Sequence, residues 1–474
     1  MPQDLLAFLP EAAILLGSLA LFAVAVVTDC RVATWRTAVG VALVTVAAAL
    51  AALGERGEPF FPGIYRSDAF SQVLKLGLAI GLLLVTLVSR EIAGVRRQAR
   101  TDVPIFLALA TAGMMLLVSS TELLTLYVAL EMSALSLYIV AAFHQERLRG
   151  SEGAAKYVLF GAASSAVTLY GLSLVYGATG TTYVGDIVAH VVATGGSPLF
   201  AVGVLLALAG LLFKLAVFPF HAWAPDVYEA APNAIVAFIG TASKVAAVGV
   251  LARVISLTAE RPGALVTVLL VLSVLSMTIG NLAALIQKDL KRLLAWSTVA
   301  HGGYVLIGLL AFTEAGFAGA VFYGLAYLLM AFAVFLVVCV IAPDGENPTL
   351  DSLAGLHHRS PLLLLVLLLG VFGLAGIPPT PGFAGKWFLF SAALKSGHFW
   401  LVFVAAINAT VSLYYYLIIV KAAFQAPAAD RPPIPLGLPA RAATWAAVAA
   451  LLVIGVLPGP LWDLAAGAAA ALLG

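Results

Sequence analysis

Apolar residues run along this chain in long blocks separated by short polar gaps. A block of about 18 or more residues, wound as a helix, matches the roughly 30 Å hydrocarbon core of a bilayer. The pattern predicts about fourteen transmembrane helices, at 7–28, 33–53, 69–89, 103–119, 122–143, 154–177, 198–218, 231–252, 264–286, 292–312, 317–341, 362–393, 399–422 and 441–462. The longest polar gaps, Gly54–Asp68, Thr179–Ser197, Pro343–Ser360 and Gln425–Ala440, are loop-sized and too poor in apolar periodicity to bury a core of their own. The expected fold class is an all-α polytopic membrane protein without a soluble domain.

Composition agrees with the pattern: of 474 residues, 62% are hydrophobic and 10% charged, with a mean hydropathy of +1.07. The formal net charge of +2 carries no nucleic-acid signature. Cys30 and Cys339 lie far apart without metal-ligand neighbours, so no disulfide framework, zinc site or iron–sulfur site is expected. The start, Met1-Pro2-Gln3-Asp4, carries acid where a signal peptide carries base, and the first block is expected to remain as a span. No P-loop, dinucleotide-binding glycine motif or zinc-protease helix motif is present, so energy is expected from an ion gradient or from partner subunits.

Alternating the fourteen spans across the membrane sorts the basic loop residues unequally. One side collects Arg31, Arg36, Arg90, Arg96, Arg97, Arg100, Arg147, Arg149, Lys288, Lys291, Arg292, Arg359, Lys421, Arg431 and Arg441. The other holds Arg56, Arg66, Arg253, Arg261 and Lys395. By the positive-inside rule the richer side is cytoplasmic, which puts both termini on the other side. An odd number of spans breaks this partition.

Charges also stand inside the apolar blocks: Glu131, Lys156, Lys214, Lys244 and Lys386. A lysine near the bilayer centre costs about 2.5–3.5 kcal/mol on insertion scales, so such residues mark a path for ions or protons. Two of them sit beside proline breaks. The seventh span runs Phe213-Lys214-Leu215-Ala216-Val217-Phe218-Pro219-Phe220-His221 towards Pro225 and Pro232; in the twelfth, Gly376-Ile377-Pro378-Pro379-Thr380-Pro381-Gly382 precedes Lys386. Proline removes a backbone donor and frees carbonyls that need a polar neighbour. Paired breaks at corresponding places point to inverted repeats, here spans four to eight and nine to thirteen.

Lysine suits a proton relay because desolvation lowers its proton affinity and a nearby carboxylate restores it. Glu131 on the fifth span, brought against Lys214 on the seventh, holds a proton there; separation releases it towards Lys244 and Lys386. Lys156, near a span end, reads equally as a lysine snorkelling to the surface. His221, just past the first break, and His301 in the tenth span are further shuttle positions, with capping or a wet loop as the plain reading. Lys75 reads as interfacial, Glu122, His357 and His358 as surface residues, and Tyr414-Tyr415-Tyr416 as packing or an aromatic anchor.

The segments Ser151-Glu152-Gly153-Ala154-Ala155-Lys156-Tyr157, Phe213 through Glu229, Lys291-Arg292-Leu293-Leu294-Ala295-Trp296-Ser297 and Pro381-Gly382-Phe383-Ala384-Gly385-Lys386 resemble the antiporter-like membrane subunits of respiratory complex I. The resemblance runs from about the third span to the thirteenth. It implies a fourteen-helix fold with two inverted five-helix repeats and broken helices 7 and 12. It divides the chain into residues 1–100 (helices 1–3), 101–255 (first repeat), 262–424 (second repeat) and 438–474 (helix 14). It further implies that Glu131, Lys214, Lys244 and Lys386 match the family's hydrophilic axis, with Lys156 and His221 as associated positions.

Within that family a lysine at position 386 and a short tail after the last span are similar to the subunit N type; the subunit M type and the related cation/proton antiporters usually carry glutamate there. Trp296 departs from the family, standing where tyrosine is common. The resemblance implies proton translocation coupled to quinone reduction elsewhere in the complex. No cofactor is expected on this chain, with NAD and quinone used by the whole complex. Implied partners are the antiporter-like subunit M, the small subunits K and J, and lipid, in the cell inner membrane. A sodium/proton antiporter subunit and a non-conducting membrane scaffold are the competing readings. Hard cations prefer oxygen ligands, and the lysine-rich core disfavours a sodium site.

Overall fold

The computed structural model describes residues 3–55, 62–90, 95, 97–143, 148–258, 263–342, 347–427 and 431–473. Arg56, Arg96, Arg147 and Arg261, which enter the sidedness of the loops, lie outside them. The helices in chain order are α1 (Gln3–Ala7), α2 (Leu9–Thr28), α3 (Arg31–Ala52), α4 (Ala69–Val88), α5 (Val103–Ser119), α6 (Leu123–Ala141) and α7 (Leu148–Thr179). There follow α8 (Val184–Thr194), α9 (Pro198–Leu215), α10 (Trp223–Ala230), α11 (Asn233–Gly240), α12 (Ala242–Ser256), α13 (Gly263–Leu285) and α14 (Leu290–Leu309). The last are α15 (Glu314–Ile341), α16 (Leu356–Arg359), α17 (Pro361–Ala375), α18 (Pro381–Lys395), α19 (Phe399–Phe424), α20 (Leu438–Val456) and α21 (Gly459–Leu473). Among the described residues strand-like pairing is limited to single bridges between loops, such as Tyr65 with Ser120 and Asp289 with Thr349.

Eleven helices among the described residues are long and apolar enough to cross a membrane. They match expected spans 1–3, 5–9, 11, 13 and 14, so length and composition alone stop short of fourteen. The other three expected spans are helical but atypical. The fourth, α5, has 17 residues; the tenth, α14, carries Lys291, Arg292 and His301; the twelfth is split into α17 and α18.

Two expectations need correction. The block placed at 441–462 ends at Val456, and Pro458 interrupts the ladder before α21 continues to Leu473. The gap Thr179–Ser197, expected to be a loop, contains α8, whose Ile187 and Val191 are buried.

Helix starts follow ordinary capping chemistry. Asp68 and Ser71 form a reciprocal capping box at α4, and the side chains of Glu122, Ser197 and Asp289 accept the N3 amides of α6, α9 and α14. Small residues set the spacing between helices. A Cβ on Gly171 of α7 meets the backbone of Gly203 and Ala207 in α9, so only glycine lets the two helices approach this closely.

The middle of the bundle is α11–α12 together with α15. Every residue of the most apolar window of Asn233–Ser256 is buried, and α15 packs against α4, α11, α12, α14, α17, α18, α20 and α21. A charged side chain on α12 therefore faces protein rather than lipid. One end of the bundle carries Asp68, Glu122 and Arg253; the opposite end carries Asp226 and Arg292. These are called the Asp68 face and the Asp226 face below.

Candidate functional site

Both helix breaks expose backbone carbonyls at the ends of their first halves. α9 stops at Leu215 and the chain turns through Ala216 in the left-handed region (φ 64°). α17 stops at Ala375 and turns through Gly376 (φ 85°). The last carbonyls of a helix lack intrahelical partners and carry the negative end of its dipole, which favours a cation.

A buried lysine meets each of these ends. Lys244, from α12, donates to the backbone oxygen of Lys214 at 2.8 Å and lies 5.1 Å from the centre of the Trp223 ring. Lys386, from α18, donates to Leu374 and Ala375 oxygens at 3.1 and 2.9 Å and lies 4.9 Å from the Tyr304 ring centre. Lys214, Lys244 and Lys386 are 7%, 2% and 6% exposed, too little for any of them to be a snorkelling surface lysine.

Glu131 and Lys214 line one cavity of about 20 Å³, together with Ser165, Tyr138 and Tyr157. That is room for about one water. The two charges do not form an ion pair in this arrangement: the Lys214 ammonium donates to Ser133 Oγ at 2.8 Å, and Ser165 Oγ donates to the Glu131 carboxylate. Glu131 is half-buried at the α6 surface. The two serines are site residues that sequence reasoning missed, because serine in an apolar helix usually bonds its own backbone.

On the other side of Lys244 a cavity of about 10 Å³ is shared with Thr298, His301 and Tyr327. Tyr327 and Thr298 hydroxyls are 2.9 Å apart. His301 is 4% exposed and uses both ring nitrogens: Nδ1 is 2.6 Å from the Tyr323 hydroxyl and Nε2 is 2.9 Å from that of Tyr416. Tyr416 continues to Ser297 at 2.5 Å, and the His301 ring meets Tyr304 edge-on, the ring that Lys386 overlies. Lys214, Lys244, His301 and Lys386 thus form one polar line through the protein interior. Of the tyrosine run read as packing, Tyr414 is exposed, whereas Tyr416 belongs to this line and Tyr415 bonds Asn281 at 3.0 Å.

Two expected residues stand apart from it. Lys156 lies at the Asp226 face, paired with Glu152 and Asp226 at 2.7 Å each. Arg292 of α14 closes the same cluster, 2.7 Å from Asp226 and 2.8 Å from Glu229, so α7, α10 and α14 are tied together by charge. His221 sits in the connector after α9, half-buried, its ring against Phe218 and Trp296.

Three basic residues lie elsewhere than the sequence suggests; one is Arg253, expected as a loop charge but 5% exposed and paired with Asp68. Lys75, expected at the interface, is fully buried and 2.8 Å from Glu11. Lys291, expected as a loop charge, is fully buried and donates to the Ala231 oxygen at 2.9 Å. Among the described residues no three His, Cys, Asp or Glu side chains converge as metal ligands do. The chemistry available along the line is proton transfer between amines, imidazole and hydroxyls.

Known proteins resemble this chain along nearly their whole length. The chain is 46% identical over 429 residues to NADH-quinone oxidoreductase subunit N 2 of Syntrophobacter fumaroxidans, covering 90% of this chain and 91% of that protein. It is 45% identical over 475 residues to the protein of the same name from Solidesulfovibrio magneticus, covering 98% and 99%. A chain of respiratory complex I from Thermus thermophilus with bound aureothin superposes with a TM-score of 0.84 at 36% identity, covering 96% of this chain and 99% of that one. The family model for the transmembrane region of NADH:quinone oxidoreductase and Mrp antiporters matches residues 120–412, which include every residue of the polar line. The chain belongs to the NADH:quinone oxidoreductase/Mrp antiporter membrane family.

Proposed function

We propose that this chain is a proton-translocating membrane subunit of an NADH:quinone oxidoreductase, moving protons through the line Glu131, Lys214, Lys244, His301 and Lys386. The observation that carries this reading is the seating of Lys244 and Lys386, both buried, on carbonyls freed by the two helix breaks. A carbonyl dipole steadies an ammonium without the full strength of a carboxylate, so the proton stays transferable.

The switch is the distance between Glu131 and Lys214. At 4 Å and an effective dielectric near 20, opposite charges attract by about 4 kcal/mol, roughly a thousandfold in proton binding. Turning Lys214 from Ser133 towards Glu131 loads the site, and returning it passes the proton on through the single-water cavities and the Lys244 seat. Quinone reduction in neighbouring subunits supplies the movement, NAD and quinone being bound elsewhere in the complex. The two breaks belong to inverted repeats at 101–255 and 262–424. Partners of this kind are the antiporter-like subunit M, the small subunits K and J, and lipid. The Asp68 face, poor in basic residues, is the non-cytoplasmic side and holds both termini.

A Lys214→Met complex reconstituted in vesicles tests the reading. Proton pumping per quinone reduced falls while the assembled complex is retained; unchanged pumping would favour a scaffold. Replacing external sodium by a bulky organic cation leaves pumping intact, whereas an antiporter subunit stops.

A further inference from the structure

A second buried acid–base pair lies outside the polar line, close to the Asp68 face. Glu11 is in the first turn of α2, and Lys75 is two turns into α4, 2.8 Å away, with both side chains 0% exposed. Tyr65 joins them: its hydroxyl donates to Glu11 Oε1 at 2.6 Å and accepts from Lys75 at 2.7 Å. Tyr65 also lines an open cleft of about 1310 Å³ at that face, together with Ser67, Asp68 and Arg253. The neighbouring charges are already matched, with Arg253 on Asp68 at 3.0 Å, so they do not neutralise Glu11 or Lys75.

The pair keeps unused polar capacity. Glu11 Oε2 and Gln72 Oε1 are buried and have no hydrogen-bond partner among the described residues. Gln72, one turn before Lys75, uses its amide nitrogen on Ala7 O and Ser67 Oγ, at 2.8 and 2.7 Å. Buried polar atoms of this kind are commonly satisfied by ordered water. A purely structural ion pair has no need of a free carboxylate oxygen or of a tyrosine that also lines an open cleft.

We propose that Glu11, Lys75 and Tyr65 form a proton-exchange station between the membrane interior and the Asp68 face; this rests on the proton-translocation reading above. A proton arriving at Glu11 Oε2 converts the carboxylate to the neutral acid and releases the Tyr65 hydroxyl from it. Lys75 passes one ammonium proton to the Tyr65 oxygen while Tyr65 gives its own hydroxyl proton to water in the cleft. Transfer of the carboxyl proton to the neutral amine restores the pair. One proton enters, one leaves and no electrons move. Burial, then the neighbouring Glu11 carboxylate, hold the Tyr65 phenol well above its ordinary range, so it relays a proton without standing as phenolate.

The test uses the assembled complex in vesicles, with pumping per quinone reduced compared across Glu11→Gln, Tyr65→Phe and the charge-neutral double variant Glu11→Gln/Lys75→Met. A station predicts a loss of about tenfold or more in Glu11→Gln that the double variant does not rescue. A merely structural pair predicts that removing both charges restores pumping. Wild-type pumping in Glu11→Gln or in the double variant overturns the proposal. Should the single variant fail to assemble, difference infrared spectra of the unaltered complex decide: a carboxyl band that appears on turnover and is missing in the double variant supports the station, and its persistence there overturns it. Lys214→Met is the control. If it too pumps normally, the translocation reading falls; if it is inactive while Glu11→Gln pumps normally, only the station falls.

Discussion

The Lys244 ammonium donates a 2.8 Å hydrogen bond to the backbone carbonyl of Lys214. One buried lysine is therefore held by the main chain of another, at the carbonyl end of a helix that stops one residue later. The second break repeats the device within a single interrupted span, with Lys386 of α18 on the final carbonyls of α17. Breaking a helix in the apolar interior creates acceptors that no side chain needs to supply.

His301 holds two tyrosine hydroxyls, from α15 and α19, and shares a cavity with Lys244. His301→Phe fills similar volume but removes both bonds, and the expected result is a pumping rate lower by about 10²-fold, in the range for removing a proton-transfer group. Tyr416→Phe removes one of the two His301 bonds, together with the Ser297 contact, and leaves Tyr323 in place, so a smaller loss is expected. Proton flux in vesicles at matched complex content measures both.

Asp226 is shared by Lys156 and Arg292. These side chains are 26–37% exposed, so solvent screens the pairs and each contributes little. Asp226→Asn is expected to lower the thermal-inactivation midpoint of the purified complex modestly. Glu152→Gln, whose carboxylate is 64% exposed, is expected to leave the midpoint unchanged.

Asp68 gives a pH dependence with a defined sign. Burial pushes its carboxyl up, but the Arg253 guanidinium and the Ser71 amide outweigh this and hold it below the usual carboxylate range. Its stabilisation is fully present above the unfolded value of about 3.9 and is lost as pH falls through the lower native value. Thermal stability measured downwards from neutral pH is expected to drop in that acid window. Asp68→Asn flattens the drop and costs about 3–5 kcal/mol at neutral pH, because Arg253 is left buried without its countercharge.

Much of this was legible in the sequence where a residue contradicted its surroundings. Lys214, Lys244 and Lys386 stand in apolar blocks, and Pro219 and Pro378 mark the breaks beside two of them. Residues that agreed with their surroundings gave no such signal. Tyr323 and Tyr416 pass for packing, since a hydroxyl adds little to an apolar count, and Ser133 and Ser165 pass for backbone-bonded serines. Lys75 reads wrongly because its partner, Glu11, lies on another helix far away in sequence, and without that partner a lysine near a span start looks interfacial. The division between α20 and α21 was visible in Pro458-Gly459-Pro460, but the apolar residues on both sides masked it as one block.

The most direct measurement is the number of protons moved per quinone reduced by the complex carrying Lys244→Met. Methionine fits the buried site on α12 but neither holds a proton nor reaches the Lys214 carbonyl as a donor. The account predicts a ratio well below that of the unaltered complex, with assembly retained. An unchanged ratio in a fully assembled complex would contradict it.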